Sequence, residues 1–135
     1  MNNHMTQPTA SALVLDLYDA VLTGNVERAR AVLTDDVVVH VPGSHALAGD
    51  HVGVDALFDF VERTRRSTDD GEHIDVLDVL EGSDHVAVYC RVSATRLGRP
   101  PLDNLTIHLA RLDAGRVAEI TLHNRDDRPV DDFWS

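Results

Sequence analysis

Apolar residues recur at helical spacing through the first half of the chain and at alternate positions through the second, with the change of period near Gly71. Leu13, Leu17 and Val21 follow at four-residue steps with Val14, Tyr18 and Leu22 beside them. That pattern predicts a helix over Ala12 to Thr23, capped by Thr9 or Ser11 and stopped by Gly24. Asn25 can cap a second helix, Val26 to Leu33, after which Asp35-Asp36 turns the chain into the valine-rich Val37-Val38-Val39-His40-Val41. Pro42-Gly43 ends that strand, since proline has no amide to give the ladder and glycine turns freely. Leu47 to Gly53 reads as a loop. A third helix, Val54 to about Arg66, turns Leu57, Phe58 and Val61 inward and leaves Asp59, Glu62, Arg63, Arg65 and Arg66 to water.

Beyond Thr68-Asp69-Asp70-Gly71 four alternating segments follow: His73 to Leu80, His85 to Arg96, Leu102 to Leu112 and Arg116 to Asn124. The turns between them carry glycine or proline and suit short hairpins. Helices gathered first and strands gathered last imply an α+β domain. One domain over residues 8–135 is expected, with residues 1–7 disordered or a cloning remnant, since a second methionine follows His4.

At 135 residues and 43% apolar, the chain can bury a core with room for a small internal pocket. Its formal charge of −11, with 23 acidic residues, twelve arginines and no lysine, repels nucleic-acid backbones and anionic membranes. No stretch approaches the roughly 18 apolar residues that span a bilayer, and no signal-peptide pattern opens the chain, so a cytoplasmic location is expected. The lone Cys90 sits in a valine-rich strand and reads as a packed thiol. His40, His45 and His51 are spaced by five and six residues, which suits no standard metal motif; no metal and no cofactor is expected.

The order helix, helix, strand, helix, four-strand meander resembles the nuclear transport factor 2-like superfamily, and more narrowly a SnoaL-like domain, the group of polyketide cyclases related to ketosteroid isomerase. The resemblance is carried by Asp35 to Gly43, the Leu47-Ala48-Gly49 to Gly53 loop, Arg111-Leu112-Asp113-Ala114-Gly115-Arg116-Val117-Ala118-Glu119-Ile120, and the closing Asp132-Phe133-Trp134. It implies a cone-shaped fold in which three N-terminal helices pack on a curved, mainly antiparallel sheet around a pocket. The superfamily hosts isomerases, cyclases, dehydratases, epoxide hydrolases and non-catalytic partners, so fold does not choose among them.

Alternation along Leu102 to Leu112 puts Asn104, Thr106, His108 and Ala110 on one face and Leu105, Ile107, Leu109 and Arg111 on the other. By analogy with the isomerase-like relatives, counted from the Asp113-Ala114-Gly115-Arg116 turn, His108 falls where an oxyanion-side acid stands. It reads as a general acid, a general base or a donor to an enolate oxygen, against a sheet-surface histidine. Tyr18 matches the helix position where those relatives keep a phenolic donor. His40 is the third catalytic candidate, although the relatives' carboxylate base aligns with Val41, and a one-residue step reverses the face of a strand. Ketosteroid isomerase sets an aspartate base beside a neutral carboxylic acid, and neither carboxylate is evident at the matching positions here. A SnoaL-like cyclase asks instead for a histidine with an acid or donor, from His40 or His108 with Asp103, Asp126 or Asn124.

Arg91, Asn104, Thr106, Asn124, Phe58 and Trp134 complete the expected substrate-binding set. Arg91 is weighed as a substrate anchor against an ion pair with a neighbouring strand. For the last strand, the face holding Glu119, Thr121 and His123 and the face holding Ile120, Leu122 and Asn124 remain equal choices. The expected function is a cofactor-independent enzyme performing acid–base isomerisation or cyclisation, or dehydration or epoxide hydrolysis, on an apolar oxygenated, polyketide- or steroid-like substrate. The alternative is a non-catalytic ligand-binding or dimerisation module. Expected partners are a small apolar ligand and a second copy of the chain, through Leu105, Ile107 and Leu109.

Overall fold

The computed structural model describes residues 9–135; the expectation for residues 1–7 lies outside them. Helix α1 (Ala10–Leu22) starts where the Thr9 hydroxyl accepts the Ala12 N–H at 3.0 Å, and it buries Val14, Leu17 and Ala20 along one side. Asn25 caps α2 (Val26–Val32) by accepting the Arg28 N–H, and β1 (Leu33–Val41) follows directly. Strand β2 (Gly49–Val52) and helix α3 (Val54–Arg66) come next. The meander is β3 (His73–Glu81), β4 (His85–Ala94), β5 (Leu102–Asp113) and β6 (Arg116–Asn124), and α4 (Asp127–Trp134) closes the chain.

The six strands form one sheet in the order β2-β1-β6-β5-β4-β3, antiparallel throughout except where β1 runs parallel to β6. Helices cover one face: α1 lies against β3 and β4, α3 against β1 and β2, and α4 against β5. The core between them is built from alternate strand positions, Val37 and Val39 on β1, Val86, Val88, Cys90 and Val92 on β4 and Ala110 on β5, and from Val117 and Ile120 on β6, where a register shift against β5 breaks the alternation. The α+β class stands as expected, with helices on one face of a mainly antiparallel sheet.

Two elements depart from expectation. Gly49–Val52, read as a loop, pairs as a strand with β1 through Val38↔Val52 to Val41↔Gly49. A fourth helix, α4, caps its N-terminus with the Asp126 carboxylate accepting the Arg128 N–H, and Pro129 is tolerated in its first turn because amides there have no intrahelical partner. The chain reaches α4 by a close approach. The Asp131 carboxylate accepts the Ser44 N–H at 2.9 Å, and a Cβ on Gly43 (φ +107°) would overlap that carboxylate oxygen. Glycine is required there, and α4 is thereby fixed over one end of the sheet.

Candidate functional site

Between the helices and the covered face of the sheet lies a cavity of about 150 Å³ whose wall is mainly aliphatic and aromatic. Its polar groups are Tyr18, His45, Thr64, Glu72, Asn104, Thr106, His108 and Asn124. Alternation on β5 brings Asn104, Thr106 and His108 to this face together, with Cys90 and Val92 of β4 beside them.

The Tyr18 hydroxyl and His108 Nδ1 stand 2.6 Å apart, their rings tilted at 43° with centroids 5.9 Å apart. Burial pushes the His108 imidazole down to about 4, so the ring is neutral at pH 7. Burial, and then the neighbouring Cys90 thiol, push the Tyr18 hydroxyl far above its ordinary value and keep it protonated. In one imidazole tautomer the phenol donates to Nδ1 and the ring Nε2–H is free; in the other Nδ1–H donates to the phenol oxygen and the phenol O–H is free. Either way the pair presents one hydrogen to the cavity.

Toward α4, Asn104 Nδ2 donates to Asn124 Oδ1 at 2.9 Å and Asn124 Nδ2 donates to Asp127 Oδ1 at 3.0 Å. The Thr106 hydroxyl donates to the His123 carbonyl at 3.2 Å. His45 is buried with its Nδ1 accepting the Leu47 N–H; burial lowers its pKa, opposed by Asp131, the Pro42 carbonyl and Asp127. Trp134 lines the cavity from α4 and, with Leu47, borders an adjoining open cleft that carries Arg63, Arg66 and Arg96.

The structure thus brings together Tyr18, His108, Asn104, Thr106, Asn124 and Trp134. Three expected residues are placed elsewhere. His40 lies on the outer face of β1, its Nδ1 2.7 Å from Asp50 and its Nε2 2.6 Å from Glu119, because Val39 and Val41 take the inward positions. Arg91 faces outward between the inward Cys90 and Val92 and pairs with Asp103 at 2.6 Å, so of the two roles weighed for it the ion pair is the one formed. Phe58 packs on the flank of α3, whose cavity stripe is Leu57, Phe60, Val61 and Thr64, the i, i+3, i+4, i+7 series. Of the acids and donors considered as partners for a pocket histidine, Asp103 pairs with Arg91 and Asp126 caps α4, leaving Asn124 in the cavity. On β6 the cavity face is Ile120, Leu122 and Asn124.

Glu72 is a cavity residue that the sequence reading does not include. It stands one residue before β3, half-buried, and shares the cavity with Ile74 two positions on. Burial is the cause that pushes its carboxyl up to about 7. The signal for it is the alternation of β3 carried one step further back, from Ile74 to Glu72. Cys90, buried behind the wall, is pushed up to about 11 by burial first and by the Glu72 charge second, as suits a packed thiol.

Residues 14–120 match the model of the SnoaL-like domain. The chain belongs to the SnoaL-like family. This SnoaL-like chain is 30% identical over 133 residues to the uncharacterized protein Rv0034 of Mycobacterium tuberculosis, covering 97% of this chain and 100% of that one. Among solved structures it resembles Bal32a from a soil-derived mobile gene cassette, with 28% identity, a TM-score of 0.86 and coverage of 93% of this chain and 96% of that one. A nuclear transport factor 2-like protein from Cytophaga hutchinsonii shares the fold at 20% identity, with a TM-score of 0.71 and coverage of 94% and 98%. Among the described residues, no helix of the SnoaL-like chain is long and apolar enough to cross a membrane.

Proposed function

We propose that this SnoaL-like chain is a cofactor-independent enzyme that moves protons on a small apolar, oxygenated molecule, isomerising or cyclising a polyketide- or steroid-like substrate. The observation that carries this reading is the neutral Tyr18–His108 pair, 2.6 Å apart in the wall of an otherwise apolar cavity. A substrate carbonyl set against the free hydrogen of that pair gains a donor where its oxygen becomes negative as an enolate forms. Such a donor is worth most in a water-poor site. A cavity of about 150 Å³ takes roughly one ring. The body of a larger substrate would extend into the cleft beside Leu47 and Trp134.

The test is α-proton exchange of β,γ-unsaturated cyclic ketones, beginning with cyclohex-3-en-1-one, followed by NMR in D2O. Wild type should catalyse exchange, and His108→Ala and Tyr18→Phe should each slow it by about 10²–10³-fold. Because the two side chains work as one donor, the double variant should be little slower than either single one. Rates unchanged in both single variants contradict the reading.

A second reading, an association module, has its own observation. The outer face of the meander carries Leu80, Tyr89 and Ile107, exposed at 56%, 36% and 39%, with Ala87 and Leu109 in the cross-strand row of Leu80 and Leu105 two positions from Ile107 on β5. An apolar sheet face of this kind suits a homodimer, with the same patch on both copies. Sedimentation at low micromolar concentration should show a dimer that Ile107→Asp converts to monomer; a monomeric wild type removes the interface.

A further inference from the structure

Among the described residues Glu72 is the one carboxylate in the cavity wall, and it has no hydrogen-bond or charge partner there. A carboxylate set against apolar surface, with neither a cation nor a donor, is costly to keep unless it serves a ligand. The other titratable groups around the same space are Tyr18 on α1, His45 after β1, Cys90 on β4 and His108 on β5. All are neutral at pH 7, the phenol and thiol pushed up and both imidazoles pushed down. The arginines of the adjoining cleft, Arg63, Arg66 and Arg96, do not line the cavity that holds Glu72, and burial is the cause that shifts its carboxyl to about 7. Glu72 is thus the cavity carboxylate placed both to gain and to lose a proton near neutrality.

We infer that Glu72 is the catalytic residue that carries the proton in this cavity, taking it from one carbon of the substrate and returning it to another, while Tyr18–His108 holds the oxygen. This rests on the acid–base reading proposed above and deepens it. In the step, the Glu72 carboxylate removes a proton from the carbon between the carbonyl and the β,γ double bond. The C–H bond breaks, an O–H bond forms on Glu72, and the electron pair moves into a dienolate whose oxygen accepts the hydrogen offered by the pair. Glu72 then gives the same proton to the γ-carbon as the double bond moves into conjugation. Atoms and electrons balance with no co-reactant. The implied substrate class is a molecule with an acidic C–H next to a carbonyl, bound with that carbon toward α3 and the start of β3.

Two measurements test this. The Glu72 carboxyl, assigned by comparing carbon-13 spectra of wild type and Glu72→Gln without ligand, should titrate near neutrality; a midpoint in the ordinary carboxylate range overturns the inference. In the cyclohex-3-en-1-one assay, Glu72→Gln should lower kcat by about 10²-fold or more with KM little changed, and should abolish the neutral limb of the pH profile. Glu72→Asp should recover part of the rate with that limb restored. Glu72→Gln at the wild-type rate, in an active wild type, overturns the role of Glu72 and leaves the pocket reading standing. No exchange by wild type overturns the pocket reading and this inference with it.

Discussion

His40 is held from both sides, by Asp50 on β2 and Glu119 on β6, and Glu119 also accepts from Arg111 Nε at 3.1 Å. Four strands are stitched by this row on the outer face. The hydrogen bonds to Asp50 and Glu119 raise the His40 pKa above its ordinary value, and those from His40 and Arg111 lower that of Glu119. A raised folded-state pKa means that the imidazolium contributes stability in full below about pH 6.5, its unfolded value, and that this is lost as pH rises through the folded value. The depressed carboxyl behaves oppositely, contributing above its unfolded value and losing it in acid. Both act together at about pH 5–6.5. The Asp50 side chain is 63% exposed and that of His40 32%, so screening holds the gain to about 0.5–1 kcal/mol. His40→Gln should therefore lower Tm by about 2–4 °C at pH 6 and by much less at pH 9, read by calorimetry at both values. An equal loss at both would show that the ring acts only by packing.

The elements divide by whether their sequence carries its own period. α1, α3 and the four meander strands do, and their spans are legible because each buries one face against the same core. β2 is not, since Gly49–Val52 becomes a strand only through β1 beside it. α4 is not, because eight residues are a marginal helix in isolation, and Val130, Phe133 and Trp134 settle it by packing. Within legible elements the cavity face is readable where alternation is strict. β5 yields Asn104, Thr106 and His108 correctly, and the single step separating His40 from Val41 already points that imidazole away. α3 has a wide apolar arc, Leu57 to Val61, so its cavity stripe depends on rotation about the helix axis, and Phe60 stands where the pattern suggests Phe58. Glu72 escapes because a charged residue beside Gly71 reads as a turn, and only the neighbouring strand shows that it points inward.

At the scale of the whole molecule the cavity holds two half-buried groups whose linkage to pH has opposite sign. His108 falls from 6.5 to about 4, so the unfolded chain binds more protons between those values and stability rises with pH across them. Glu72 rises from 4.5 to about 7, so the folded chain binds more and stability falls as pH rises across that interval. Each is worth roughly 3 kcal/mol across its range. Where the ranges overlap they offset, and the wild type should owe little of its pH dependence there to the cavity. Removing either partner unmasks the other. Glu72→Gln should make stability climb more steeply than wild type from about pH 4.5 to 7, because it removes a carboxyl that costs more the more it ionises. His108→Phe should do the reverse, becoming less stable relative to wild type as pH rises from about 4 to 6.5. Tyr18, which loses its partner in that variant, stays protonated throughout and adds only a constant. Urea unfolding at half-unit pH steps measures the three curves, and the common background from the other acidic groups of this −11 chain cancels in their differences. Parallel curves for all three proteins would mean that neither side chain is shielded from water as the cavity requires, and the donor pair and the proton carrier would lose their physical basis together.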